Sequence, residues 1–282
     1  MEVLRVVCSV IVVAVVVTPL PHPWDPQLDE GVWDNLLEYG EKLFGDPSKS
    51  VGDAVAKWSP DSDLNPEELG EYAQGDILFP PTAARNGLKA ASTHWEKGIV
   101  PYEIGPGFSG QDRAMIDEAI AEYHKRTCVK WVPRKGSEPD YVYFTNSNTG
   151  CWSSVGRIGG RQELNLQSPG CLTKKGTVEH EMMHALGFLH EQNRWERDKH
   201  VTVNYDNIQD GRLNNFEKAK KQETDSQGVA YDYHSIMHYS ENAFSRNGQP
   251  TIVPKSKGVK LGQREKLSEK DVKKIRHMYK CH

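Results

Sequence analysis

The chain has 282 residues, 37% of them hydrophobic, which is enough for one large domain or two smaller ones with a proper core and excludes wholesale disorder. Its formal net charge of −4 is modest, and the Lys and Arg residues are spread along the sequence, so nucleic acid is not expected as a partner.

Glu2 and Arg5 precede an unbroken apolar run from Val6 to Val17. That run has the length of a signal-peptide core and falls short of the roughly 20 residues a spanning helix needs. Residues 1–20 are therefore expected to be a signal peptide, the protein secreted and extracellular, and no membrane a partner. No Asn-x-Ser/Thr acceptor occurs.

Residues 21–85 change character, with 14 acidic residues against Lys42, Lys49, Lys57 and Arg85, a net charge of −10 that leaves +6 on residues 86–282. An acidic segment beside a basic domain suits a propeptide that covers the domain until it is removed, although a solvated acidic linker has the same composition. The segment has few periodic elements and ends in the extended stretch Phe79-Pro80-Pro81-Thr82-Ala83-Ala84-Arg85. This stretch reads as a processing site for an activating protease, with the cut after Arg85 leaving Asn86 as the new N-terminus.

From residue 86 the pattern is that of an α+β domain. Strands are expected at Ile99–Ile104, Tyr141–Thr145 and Glu163–Leu166. A helix is expected from Gly110 to Arg126, with Met115, Ile116, Ala119, Ile120 and Tyr123 on one face. Ser268-Glu269-Lys270-Asp271 opens a last helix in the manner of a capping box, with Val272, Ile275 and Tyr279 on its apolar face. Cys8 lies in the signal segment, which leaves Cys128, Cys151, Cys171 and Cys281 for two disulfides. Four cysteines allow three pairings, and the close spacing of Cys151 and Cys171 favours a local loop closed by that pair.

The chemistry concentrates in His180-Glu181-Met182-Met183-His184. Two histidines at i and i+4 on a helix point the same way and can grip one ion, with Glu181 beside it. Gly187 can take positive φ, stop the helix and swing the chain so that His190 reaches the same ion. Three imidazoles leave a tetrahedral zinc with an open position, the arrangement of a catalytic site.

The run from His180 through Gly187 and His190 to Glu191-Gln192-Asn193-Arg194 resembles the extended zinc signature of the astacins, a branch of the metzincin metalloendopeptidases. Ser235-Ile236-Met237-His238-Tyr239 resembles their methionine turn. Gly98-Ile99-Val100-Pro101-Tyr102, Gly150-Cys151-Trp152-Ser153 and Cys281 extend the likeness over residues 86–282, with Glu196 standing where the family usually has Asp.

The resemblance implies a two-lobed catalytic domain holding one Zn2+ on His180, His184 and His190, with disulfides Cys128–Cys281 and Cys151–Cys171. It implies Tyr239 as a further ligand that swings away to stabilise an oxyanion, Met237 as a floor beneath the metal, and His238 as no ligand. Ala73-Gln74-Gly75-Asp76 is similar to the family's Phe-x-Gly-Asp switch without its Phe, which makes Asp76 the residue expected to block the metal in a zymogen. Phe44-Gly45-Asp46 is a poorer match. The amino group of Asn86 would insert near Glu191. The implied function is peptide-bond hydrolysis in proteins or peptides through zinc-activated water, with Glu181 as general base and later proton donor. A catalytically inactive secreted binding protein on the same scaffold is the alternative, and Glu181 together with all three histidines argues against it. A monomer is expected.

Overall fold

Strand β1 (Ile99–Ile104) lies between β2 (Lys130–Pro133) and β3 (Tyr141–Thr145), and pairs in parallel with both. In this computed structural model, which describes residues 43–80, 94–219 and 226–281, the sheet continues through β5 (Arg161–Leu166) to β4 (Cys151–Ser153). β4 runs antiparallel to β5 and forms the edge. The expected signal peptide with Cys8, and the Arg85–Asn86 cut, fall outside the described residues. β5 begins at Arg161, two residues before the expected start at Glu163, because buried Gln162 takes part in the ladder and donates to the Gly156 carbonyl at 2.8 Å.

Helix α2 (Gly110–Arg126) starts at the capping box of Ser109 and Asp112, and buries Ile116, Ala119, Ile120 and Tyr123 against the sheet, with Met115 half-buried. Helix α3 (Lys175–Ala185) has no polar face, being buried from Gly176 to Ala185. It lies within the core that joins α2 to the sheet.

A second apolar cluster follows in sequence, formed by Val201, Ile208, Phe216, Tyr231, Tyr239, Phe244, Ile252 and Leu261 around the antiparallel pair β6 (Val201–Val203) and β7 (Ile252–Pro254). The last helix, α4 (Glu269–Met278), returns to the first cluster with Val272 and Ile275. Cys281 is bonded to Cys128, and Cys151 to Cys171. The architecture is the expected α+β arrangement of two lobes.

Residues 43–80 of the acidic segment are folded onto this body. A helix the sequence does not announce, α1 (Lys49–Val55), precedes a 3-10 turn at Pro66–Leu69. Ile77 then bridges to Ser153 of the β4 edge, and Leu43, Ala73, Ile77 and Phe79 pack on Val155, Ile158 and Leu189. Charge complementarity reaches the interface at few points: Glu67 pairs with Arg264, and Arg212 with Glu71 at 3.4 Å.

Candidate active site

His180 and His184 sit one helical turn apart on α3, so both imidazoles leave the same face. The helix stops at Leu186, and Gly187 at φ 110° turns the chain so that His190 meets the other two. All three are buried, with Asp76 of the acidic segment among them. One ligand atom from each of Asp76, His180, His184 and His190 lies within 4.8 Å of the others.

The Asp76 carboxylate spans the trio. Its Oδ2 is 2.9 Å from His180 Nε2 and 3.3 Å from His190 Nε2, and its Oδ1 is 3.4 Å from His184 Nε2. Asp46, the poorer match to the same motif, is exposed.

The backbone orients the imidazoles. His180 Nδ1 lies 2.7 Å from the Ile236 carbonyl and His184 Nδ1 2.7 Å from the Phe188 carbonyl. With Nδ1 donating to these oxygens, each Nε2 presents a lone pair inward, the tautomer a metal requires. His190 Nδ1 faces Gln74 Oε1 at 2.9 Å. Burial pushes the His180 pKa well below its ordinary value, and Arg264 adds to the effect, so the ring stays neutral. His184 Nε2 and Asp76 Oδ1 are buried without a hydrogen-bond partner. Three imidazoles and a carboxylate converging on one point, with unsatisfied atoms turned inward, fit a zinc ion.

Glu181 is fully buried, and neither carboxylate oxygen has a hydrogen-bond partner. Burial raises its pKa above the ordinary carboxylate range, the charges of Asp76 and Glu67 add to this, and Arg264 opposes it. Tyr239 packs its ring 4.6 Å from that of His190 and donates its hydroxyl to the Gln74 carbonyl. Met237 is buried in the turn whose Ile236 carbonyl faces His180. His238 is outside the group, with Nε2 2.7 Å from the Tyr231 hydroxyl. Glu191 binds Lys274, Arg194 at 3.0 Å and the Asp232 amide at 2.8 Å. Burial opposes its ionisation, but Lys274 and Arg194 outweigh that and keep its pKa below the usual value.

Two acids were missed by sequence reasoning. Glu67 forms a buried ion pair with Arg264, whose Nη1 also donates to the His238 carbonyl at 3.1 Å. Glu68 accepts from the amide and hydroxyl of Ser240, both at 2.6 Å. Asn65-Pro66-Glu67-Glu68 carries a visible helix-start signal, an Asn cap with Pro at the first position and Glu three residues on. Nothing local announces partners 172 and 197 residues away.

The profile of the Astacin peptidase family matches residues 87–280. Zinc metalloproteinase nas-14 of Caenorhabditis elegans is 40% identical over 264 residues, covering 93% of this chain and 50% of that protein. Zinc metalloproteinase nas-7 of the same species is 41% identical over 216 residues, 77% of this chain and 56% of that protein. The chain thus spans about half the length of these relatives. Among solved structures, High choriolytic enzyme 1, a hatching enzyme zinc-protease from Oryzias latipes, superposes with a TM-score of 0.62 at 37% identity, covering 68% of this chain and 94% of that one. By profile, by identity and by fold, the chain belongs to the astacin family of zinc metalloproteinases.

Proposed function

We propose that the chain is a secreted zinc endopeptidase made as a latent precursor, with residues 1–20 as signal peptide, 21–85 as propeptide and 86–282 as catalytic domain. Its substrates are proteins or peptides, and its activator is a protease that cuts after Arg85. The observation that carries this is the convergence of three buried imidazoles on one point, with the unpartnered carboxyl of Glu181 next to His180.

When bound to His180, His184 and His190, zinc supplies Lewis acidity toward a carbonyl and acidifies water. With the acidic segment gone, the cover over Glu181 and the neighbouring charge of Asp76, which both raise its pKa, are removed, and its carboxylate accepts a proton from water. Glu181 returns that proton to the leaving amine nitrogen as the C–N bond breaks. Tyr239, released from the Gln74 carbonyl, is placed to hydrogen-bond the carbonyl oxygen as negative charge develops there. Met237, buried in the core next to Ile236, serves as an apolar support for the site.

Latency follows from Asp76, whose carboxylate fills the space between the histidines that water and substrate would need. After the cut, the amino group of Asn86 joins the charges around Glu191, which Lys274 and Arg194 hold in the precursor. Secretion is supported by the apolar leader and the two disulfides.

The test compares hydrolysis of a denatured protein by the precursor, by the form cut near Arg85 and by its Glu181→Gln variant, each with and without a zinc chelator. Only the cut wild type with zinc is expected to digest the substrate, with Glu181→Gln slower by about 10²- to 10⁴-fold. Inert cut protein that retains zinc would overturn the catalytic assignment.

A further inference from the structure

The acidic segment also touches the catalytic domain well away from the histidines, through helix α1. The helix lies on the loop Asn148–Gly150 and on Gly170, next to the Cys151–Cys171 disulfide, and its approach is as close as backbone allows. A Cβ on Gly52 would lie 1.9 Å from the Asn148 carbonyl oxygen. From the other side, a Cβ on Gly150 or on Gly170 would lie 2.6 Å from Val51 Cγ1 or from Val55 Cγ1 respectively. Glycines on both partners therefore let two valines, each 1% exposed, seat against the loop.

Hydrogen bonds fix the register. Gln167 Nε2 donates to the Gly52 carbonyl at 2.9 Å, while Gln167 Oε1 accepts the Gly150 amide at 2.8 Å. The second bond lies within the catalytic domain, so Gln167 is aimed before the helix arrives. Tyr72 donates to the Thr149 carbonyl at 2.8 Å and accepts the Ser48 amide at 3.0 Å, with its ring against Trp152. None of these contacts involves a residue of the histidine cluster.

We infer that this groove is a second docking surface for the chain's own propeptide, and that it keeps the propeptide bound and the enzyme latent after the chain has been cut between residues 80 and 94. The inference rests on the latent-precursor reading above. While the chain is continuous, the linkage holds Asp76 at a high effective concentration. Once the chain is cut, non-covalent contacts alone decide how long Asp76 stays. The helix at one end, the contacts of Glu67 and Glu68 with Arg264 and Ser240 between, and Asp76 at the other end act together as a multivalent ligand, so the helix slows departure of the carboxylate without touching it. Activation then has two steps, cleavage and release, and a freed propeptide acts on the enzyme in trans.

The experiment uses the full-length zinc-loaded chain with a specific protease site placed within residues 81–93. The chain is cut to completion, and read both by gel filtration and by activity before and after large dilution. The wild-type propeptide is expected to co-elute with the catalytic domain, with activity appearing only as dilution separates them. Gly52→Leu and Val51→Asp should each weaken retention about tenfold or more, since both put volume or charge into a closed contact. Should either precursor fail to fold, Tyr72→Phe tests the same surface, because it keeps the ring and removes only the bonds to Thr149 and Ser48. A wild-type propeptide that leaves on cutting overturns the anchor, as does retention unchanged in these variants. An Asp76→Ala arm separates the two readings: co-elution decides the anchor, and activity of the uncut Asp76→Ala chain decides whether Asp76 is the metal lock.

Discussion

At the scale of single residues, the pair of Glu67 and Arg264 is the most consequential contact outside the histidine cluster. Both groups are buried, at 1% exposure, and they come from the two sides of the boundary that activation is proposed to break. Burial raises the Glu67 pKa and Arg264 offsets part of this, so the acid depends on its partner to remain charged. Removing one member of such a pair typically costs about 3–5 kcal/mol, because the other charge is left in a poor solvent. Here the loss falls on docking, since Glu67 belongs to the propeptide and Arg264 keeps its bonds to the His238 and Gln263 carbonyls. Glu67→Ala is therefore expected to destabilise the docked segment rather than the catalytic domain. In a Glu181→Gln background that prevents self-digestion, urea unfolding followed by hydrogen exchange should show residues 43–80 losing protection while α2 and the sheet keep theirs. Uniform loss across both parts would refute the assignment of this pair to the interface.

At the scale of elements, one helix supports the metal-facing turn. Asp271, third residue of α4, accepts the Ser268 amide at 3.0 Å as half of a capping box. The same carboxylate accepts the Ser235 hydroxyl at 2.6 Å and the Ile236 amide at 3.0 Å, and so fixes the turn whose Ile236 carbonyl orients His180. Ser268→Ala removes the cap contact to the Asp271 amide and the hydroxyl's donation to Asp232, and is expected to cost about 1–2 kcal/mol. Asp271→Ala strands buried donors in the turn as well, and should cost about 2–4 kcal/mol. Only Asp271→Ala should also speed zinc loss to a chelator, because it alone loosens the carbonyl behind His180; equal zinc release from both variants would contradict this. The start of α4 was legible because its capping signal and apolar face are local, as were α2 and strands β1 and β3. Helix α1 was not: its seven residues carry only two buried valines, too few for periodicity, and it has no side-chain cap. The three histidines were readable because one helix and one glycine bring them together. Glu67, Glu68 and Arg264 owe their meeting to the path of the whole propeptide, which leaves no local pattern.

At the scale of the molecule, the chain is closed by the bond between Cys128, just beyond α2, and Cys281, just beyond α4, across 153 residues. Everything between them, including the sheet from β2 onward, the histidines and the second lobe, lies within that loop. The closure bears on the site because α4 sends two side chains to it: Asp271 to the turn before Tyr239, and Lys274 to Glu191, directly after the third histidine. In an unfolded chain, freeing both ends restores the entropy of a long loop, an effect worth about 2–5 kcal/mol. The double variant Cys128→Ser with Cys281→Ser is thus expected to lower unfolding free energy by about that amount. Cys151→Ser with Cys171→Ser opens a loop of only 20 residues and should lose less on entropy. It should, however, disturb the Gly150–Gly170 surface on which α1 rests. The two pairs accordingly divide: losing the first should weaken global stability and zinc retention, and losing the second should weaken propeptide retention after cutting. Urea midpoints, chelator-driven zinc loss and co-elution measured on both double variants check this division, and the same pattern from both would show that the bonds act only as general clamps.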